Sequence, residues 1–232
     1  MSLPNVNITL GNGNIGAVTL SDDGIAGLIL TGTAVSSTLE LNKVYVIAST
    51  SDLKKLGLTA ENNPLAYKEV LGFYESAGDG AELHLLVVDA AKTLTEICSM
   101  EDGSPLKTLI DSAAGRIRLV GINRNPEDAY EPTVTSGIDQ DVVTAVTAAQ
   151  QVVESYLKQI APFVVLLPAL AWNGTTDSLY QPREGSQDSV SVVMASDGIY
   201  GESKYYSAAI GRVLGRLATC AVNISLAVTV VW

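Results

Sequence analysis

Few residues in this chain could carry chemistry. His84 is the single histidine, and Cys98 and Cys220 are the two cysteines. A Ser-His-Asp or Cys-His nucleophilic site would have to be built on His84. That residue lies inside the apolar run Leu83 to Val88, not at a strand end, so it is expected as a hydrogen-bonded core or interface histidine. The cysteines are far apart in sequence and suggest neither a disulfide framework nor a zinc site. Both are expected as buried small apolar side chains, in a chain that folds in a reducing cytoplasm.

Phosphate and metal chemistry fare no better. Gly11-Asn12-Gly13-Asn14-Ile15-Gly16 matches G-x-G-x-x-G by letter. Those glycines cradle a pyrophosphate only when a strand precedes them, a helix opens on them and an acidic residue follows about 20 positions on. Here Ala17-Val18-Thr19-Leu20 runs into Ser21-Asp22-Asp23-Gly24, so no helix opens and the segment reads as a glycine hinge. No G-x-x-x-x-G-K-[ST] loop exists. Carboxylates cluster at Asp22-Asp23, Glu101-Asp102, Glu127-Asp128 and Asp139/Asp141. They lie in turns or at helix starts without the spacing of a calcium loop, and read as solvated turns and caps. Gly211 and Gly215 form G-x-x-x-G, which in a helix permits close backbone approach. No catalytic, cofactor-binding or metal-binding residue is assigned, and the chain is read as a non-enzyme.

The elements that would position any site follow from periodicity. The chain has 232 residues, 47% apolar and 17% charged, a composition that folds rather than stays disordered. Its net charge of −11 argues against binding a nucleic-acid backbone or an anionic membrane. No apolar run approaches the roughly 20 residues that span a bilayer, and the opening Met1-Ser2-Leu3-Pro4-Asn5 has no features of a signal peptide.

Apolar runs predict strands at 24–31, 43–48, 83–88, 116–120, 163–167 and 190–195. Helices are predicted from the caps at Thr50, Ser51 and Asp52, from Asn63-Pro64, around Leu94–Cys98, over Pro105–Ala113, over Asp139–Ile160 and over Tyr205–Ala218. In the Asn63-Pro64 helix, Ala66, Val70, Phe73, Tyr74 and Ala77 form one stripe. In the Asp139–Ile160 helix, Val142, Val146, Ala149, Val153, Tyr156, Leu157 and Ile160 form one face. In the Tyr205–Ala218 helix, Tyr206, Ile210, Val213, Leu214 and Leu217 point inward. Residues 121–138 and 168–189 read as long loops. Strands alternating with helices imply an α/β fold with a mainly parallel sheet covered on both faces.

Each chain end carries an amphipathic strand. Val6, Ile8 and Leu10 alternate with Asn5, Asn7 and Thr9, while Val222, Ile224, Leu226 and Val228 alternate with polar or small residues. Free strand edges are hazards that proteins usually protect. Such strands either pair within their own domain or add to a neighbour's sheet. The organisation expected is an N-terminal strand arm and hinge over 1–18, an α/β domain over 19–218, and a C-terminal strand over 219–232.

The opening Leu3-Pro4-Asn5-Val6-Asn7-Ile8-Thr9-Leu10-Gly11-Asn12-Gly13 resembles that of a sheath-like family of Bacteroidetes prophages, and the segments after it resemble the contractile phage tail sheath family. Gly24 to Ala34 (Gly-Ile-Ala-Gly-Leu-Ile-Leu-Thr-Gly-Thr-Ala) is similar to the strand that follows the N-terminal arm in that family. Val44 to Thr50 with Ser51-Asp52-Leu53 and Leu56-Gly57, then Phe73-Tyr74, Gly78-Asp79-Gly80 and Leu83 to Val88, follow the family's order. Ser207-Ala208-Ala209-Ile210-Gly211-Arg212 resembles its last helix.

The resemblance implies a virion structural protein of the tail, assembled in the bacterial host cytoplasm. It implies hexameric rings of this chain stacked helically around a tail tube protein above a baseplate. Neighbours would be linked by arms that add strands, and contraction would be driven by two packings of one subunit. The residues expected to carry assembly are Val6, Ile8, Leu10, Val222, Ile224, Leu226 and Val228. Sheath proteins continue after the last helix with a C-terminal domain, so either the final strand links by itself or the chain is shortened at Trp232. Two alternatives stand beside this reading. One is a doubly wound nucleotide-binding module or enzyme, with its ligand near the loops after Val120 and Leu167. The other is a different tail or injection-system component on the same fold.

Overall fold

A computed structural model describes residues 25–127, 129–158, 162–172, 179–194 and 208–219. The arm residues Val6, Ile8, Leu10, Val222, Ile224, Leu226 and Val228 lie outside the described residues, as do the glycine hinge, Cys220 and Tyr206.

The first strand, β1 (Ala26–Gly32), is buried almost throughout. It is the third strand of a six-stranded sheet in the order β2-β3-β1-β4-β7-β8. The others are β2 (Val44–Ile47), β3 (Leu83–Asp89), β4 (Leu119–Asn123), β7 (Val164–Pro168) and β8 (Val190–Val193). All neighbouring pairs are parallel except β2 with β3. The fold is α/β with a mainly parallel sheet, as the alternation of strands and helices predicts.

Side-chain alternation along the central strands builds two cores, one on each face. Ile29, Leu86, Val88, Val120, Ile122, Val165 and Leu167 point to one side. They meet α3 (Leu94–Ile97), α4 (Pro105–Ser112) and α5 (Gln140–Leu157). Ala26, Leu28, Leu30, Leu83, Leu85, Val87 and Leu166 point to the other. They meet α1 (Thr50–Lys55), α2 (Pro64–Ala77) and α6 (Ile210–Ala218). Burial on both faces is why these strands read as continuous apolar runs.

α2 opens with Pro64 at its first position, where the missing N–H costs nothing. It ends at Ala77, a few residues before β3 begins. α6 runs beside α2 in the same direction, since Gly211 meets Glu69 and Gly215 meets Phe73. A Cβ at either glycine would overlap a backbone carbonyl oxygen of α2. The G-x-x-x-G spacing is therefore a backbone-to-backbone contact.

Several expectations are corrected. β4 begins at Leu119 and reaches Asn123, so residues 121–123 are strand rather than loop. Gly121 and Asn123 look like turn residues. In the sheet, however, Gly121 makes room for Ile210, and Asn123 has buried polar partners. The rest of that segment holds a short hairpin of β5 (Val134–Thr135) and β6 (Ile138–Asp139). In the second predicted loop, Pro182–Gly185 form a 3-10 turn. α6 begins at Ile210, with Ala208 and Ala209 outside it. On α5, Val142, Val146, Ala149, Val153 and Tyr156 are buried, but Leu157 is 48% exposed at its last turn.

Candidate functional site

A parallel sheet of this kind takes ligands outside the carboxyl ends of its strands, where the strand order reverses. From β1 the chain crosses to β3 on one side, and from β4 it crosses to β7 on the other. The reversal lies between β1 and β4, so the residues at stake are Thr31, Gly32, Asn123, Arg124 and Asn125.

Side chains of the chain itself bind one another across this crevice. The Asn125 backbone N–H donates to Thr31 Oγ1 at 2.8 Å, tying the ends of β1 and β4. Asn63, the residue before α2, takes the Thr33 N–H on its Oδ1 at 2.7 Å and returns its Nδ2 to the Thr33 carbonyl at 3.1 Å. Asn123 Nδ2 donates to Glu69 Oε1 and to the Ala208 carbonyl, each at 3.0 Å. Its Oδ1 accepts from the Arg124 N–H at 2.9 Å. Burial makes the three Asn123 bonds costly to break, because no water can replace the partner.

The other half of the crevice is ionic. The Arg124 side chain is 2% exposed and reaches Asp141 Oδ2 at 3.2 Å. Its guanidinium lies over the Tyr130 ring, 4.5 Å from the centroid, a favourable placement for a partly desolvated cation. Arg124 Nε is buried without a hydrogen-bond partner.

Tyr130 donates its hydroxyl to Asp139 Oδ2 at 2.7 Å. Burial and that carboxylate push the phenol up to about 12. Asp139 caps α5 by accepting from the Asp141 N–H. Asp141 accepts from the N–H groups of Leu94 and Thr95 at 2.8 and 3.0 Å, capping α3 from a distance. The pair Asp139/Asp141, read from sequence as turn or cap residues, does cap. It places carboxylates at the helix N-terminus where such folds receive an anion.

The lone histidine is placed as expected. His84 is 2% exposed on β3, with Nε2 2.8 Å from Glu82 Oε1. That bond, with help from Arg116 at 3.0 Å, holds the Glu82 carboxyl below its usual range. His84 Nδ1 has no hydrogen-bond partner. Cys98 is fully buried, and burial pushes its thiol far up, away from reactivity.

Among the described residues, no group of three His, Cys, Asp or Glu could hold a metal ion. No helix among them is long and apolar enough to cross a membrane.

Among the described residues, two grooves lie away from this crevice. One of about 210 Å³ sits beside β8, lined by Ile138, Leu179, Tyr180, Arg183, Val192 and Met194. It is smaller than the roughly 300 Å³ at which small-molecule pockets begin. The other, about 500 Å³, lies between α1 and α2 and is lined by Ser51, Lys54, Thr59, Glu61, Tyr67 and Leu71. Neither brings a histidine or cysteine to its wall. Among the described residues, β2 lies at the sheet margin with β3 as its one strand partner, and Val46 on it is 61% exposed.

The sequence reading missed Glu69, Asn123 and Arg124. Glu69 falls on the apolar stripe of α2 between Ala66 and Phe73, which was a legible sign of a buried carboxylate. Asn123 and Arg124 lay inside a segment read as loop, and no local pattern marks them.

No curated protein matches the chain. A family model described as DUF2586, N-terminal domain, matches residues 3–231. With nearly its whole length matched, this chain belongs to the DUF2586 family, through that family's N-terminal domain.

Proposed function

We propose that this chain is a structural subunit that assembles with copies of itself on the plan of a contractile tail sheath. Rings of the subunit stack around a tail tube above a baseplate, within a virion tail built in the host cytoplasm. The carrying observation is the set of internal hydrogen bonds and the ion pair across the crevice between β1 and β4. Where a doubly wound sheet would hold a small ligand, Glu69, Asn123, Arg124 and Asp141 are committed to partners within the domain.

The chemistry left is that of surfaces and strand edges. Val6, Ile8 and Leu10 in one arm, and Val222, Ile224, Leu226 and Val228 in the other, supply apolar strand faces. An edge such as β2 is the kind that an added strand extends through main-chain hydrogen bonds.

Negative-stain electron microscopy of the purified chain at low and high concentration tests the reading. Rings, or tubes with a regular axial repeat, are expected from the wild type. They should be lost in Ile8→Asp and Leu226→Asp while circular dichroism and melting stay unchanged. Dispersed small particles from the wild type at every concentration, or normal rings from both variants, would sink it.

A further inference from the structure

Lys68, Glu69 and Asn123 bring an amine, a carboxylate and a carboxamide to one buried point. Glu69 is 1% exposed and Asn123 is fully buried, while the Lys68 side chain is 14% exposed. Lys68 Nζ stands 3.2 Å from Glu69 Oε1, and Asn123 Nδ2 donates to the same oxygen at 3.0 Å. A single carboxylate oxygen therefore lies between the amine and the amide. The other oxygen, Oε2, accepts from the Gly211 N–H, which holds the carboxylate in place.

The Asn123 amide is held in one orientation. Its nitrogen also donates to the Ala208 carbonyl at 3.0 Å, and its Oδ1 accepts from the Arg124 N–H at 2.9 Å. That N–H sits where negative charge would develop if a nucleophile added to Cγ. The nitrogen that would leave faces the group able to protonate it. An ion pair taken out of water is costly, and passing the Lys68 proton to Glu69 removes both charges. What remains is a neutral amine, which is a nucleophile, held beside its target.

We propose that Lys68 and Asn123 join through an amide bond, with Glu69 as the proton carrier. The Lys68 ammonium gives a proton to Glu69 Oε1. The Nζ lone pair bonds to Asn123 Cγ, and the displaced electron pair moves to Oδ1 beside the Arg124 N–H. Glu69 delivers its proton to Nδ2, and the carbonyl reforms as the Cγ–Nδ2 bond breaks. The departing ammonia takes one proton from Nζ and leaves as ammonium. An ammonium and a carboxamide enter, and a substituted amide and an ammonium leave. The bond ties the middle of α2 to the last residue of β4. The inference does not depend on the assembly reading, since it concerns a reaction within one subunit.

Intact-mass spectrometry of the full chain, incubated folded at neutral pH and then denatured, tests it. The joined chain is lighter than its sequence by one ammonia, about 17 Da. A digest should yield a branched peptide linking Lys68 to Asn123. Lys68→Arg keeps the positive charge and should restore the full mass, with circular dichroism unchanged. In Glu69→Gln the branched peptide should form at least about a hundredfold more slowly. Wild-type chain that keeps its full sequence mass would overturn the proposal. So would the same mass loss in Lys68→Arg, which would point to a succinimide at an asparagine. If Glu69→Gln does not fold, the wild type and Lys68→Arg decide.

Discussion

Replacing Gly211 by alanine asks how closely α6 and α2 touch. On an exposed helix the change would stabilise the protein by about 1 kcal/mol, because alanine is the better helix former. At residue 211 the new Cβ would overlap the Glu69 carbonyl oxygen and stand 2.7 Å from its carbon and 3.0 Å from its Cα. These are helix backbone atoms and cannot rotate aside, so α6 must withdraw. Overpacking of this kind costs about 1–3 kcal/mol. Withdrawal also stretches the hydrogen bond from the Gly211 N–H to the Glu69 carboxylate, a charge-assisted bond worth about 1.5–3 kcal/mol when lost outright. Offset by the helix-forming gain, the expected net loss is about 1.5–5 kcal/mol. In a domain of this size each kcal/mol lowers Tm by about 2–4 °C, so calorimetry should record a fall of about 3–20 °C. An unchanged or raised Tm would show that the helices are not in backbone contact and would refute the packing described.

Two further outcomes follow from titrating groups. Asp52 is held down to about 2, chiefly by the hydrogen bond from Lys55 and then by the Ala48 N–H. An unfolded Asp titrates near about 3.9. Its contribution is therefore present above pH 4 or so and is lost as pH falls toward 2. The urea midpoint of the wild type should drop more steeply across that window than that of Asp52→Asn; equal slopes would contradict the capping role. Cys98, fully buried with its thiol pushed up by burial, should resist iodoacetamide at pH 8 in the native chain and react in urea. Peptide mapping that finds it alkylated under native conditions would count against the packing of α3.

Much of the fold was legible because its signals were local. The strands buried on both faces announced themselves as apolar runs at Leu28–Leu30 and, apart from His84, at Leu83–Val88. The polar run Thr50 to Asp52 marked one helix start, although the cap itself is Ser49, and the proline at residue 64 marked another. Gly211 and Gly215 were read as a packing device, and both touch α2.

The failures have a common physical cause. Gly121 and Asn123 carry turn character locally, and only the helix above them and the Glu69 carboxylate opposite make them strand residues. Leu157 continued an apolar stripe that the end of α5 carries into solvent. The bonding across the crevice is illegible for the same reason. Asp141 caps a helix 46 residues away, and Arg124 pairs with it across a loop. No spacing rule connects such partners before the sheet has brought them together.

The antiparallel position of β2 and the central position of β1 leave the domain unequal under load. The chain enters the described domain at the amino end of β1 and leaves it after α6, beside the end of α2. Tension on the entering segment would act along β1, which is laddered to β3 over Ala26–Gly32 and to β4 over Ala26–Leu30. Both ladders would resist in shear, with many hydrogen bonds strained at once. Tension on the leaving segment would instead act on a nine-residue helix packed against α2 and the sheet. The two ends of the domain are thus held by different means, the entering end by two strand ladders in shear and the leaving end by helix packing.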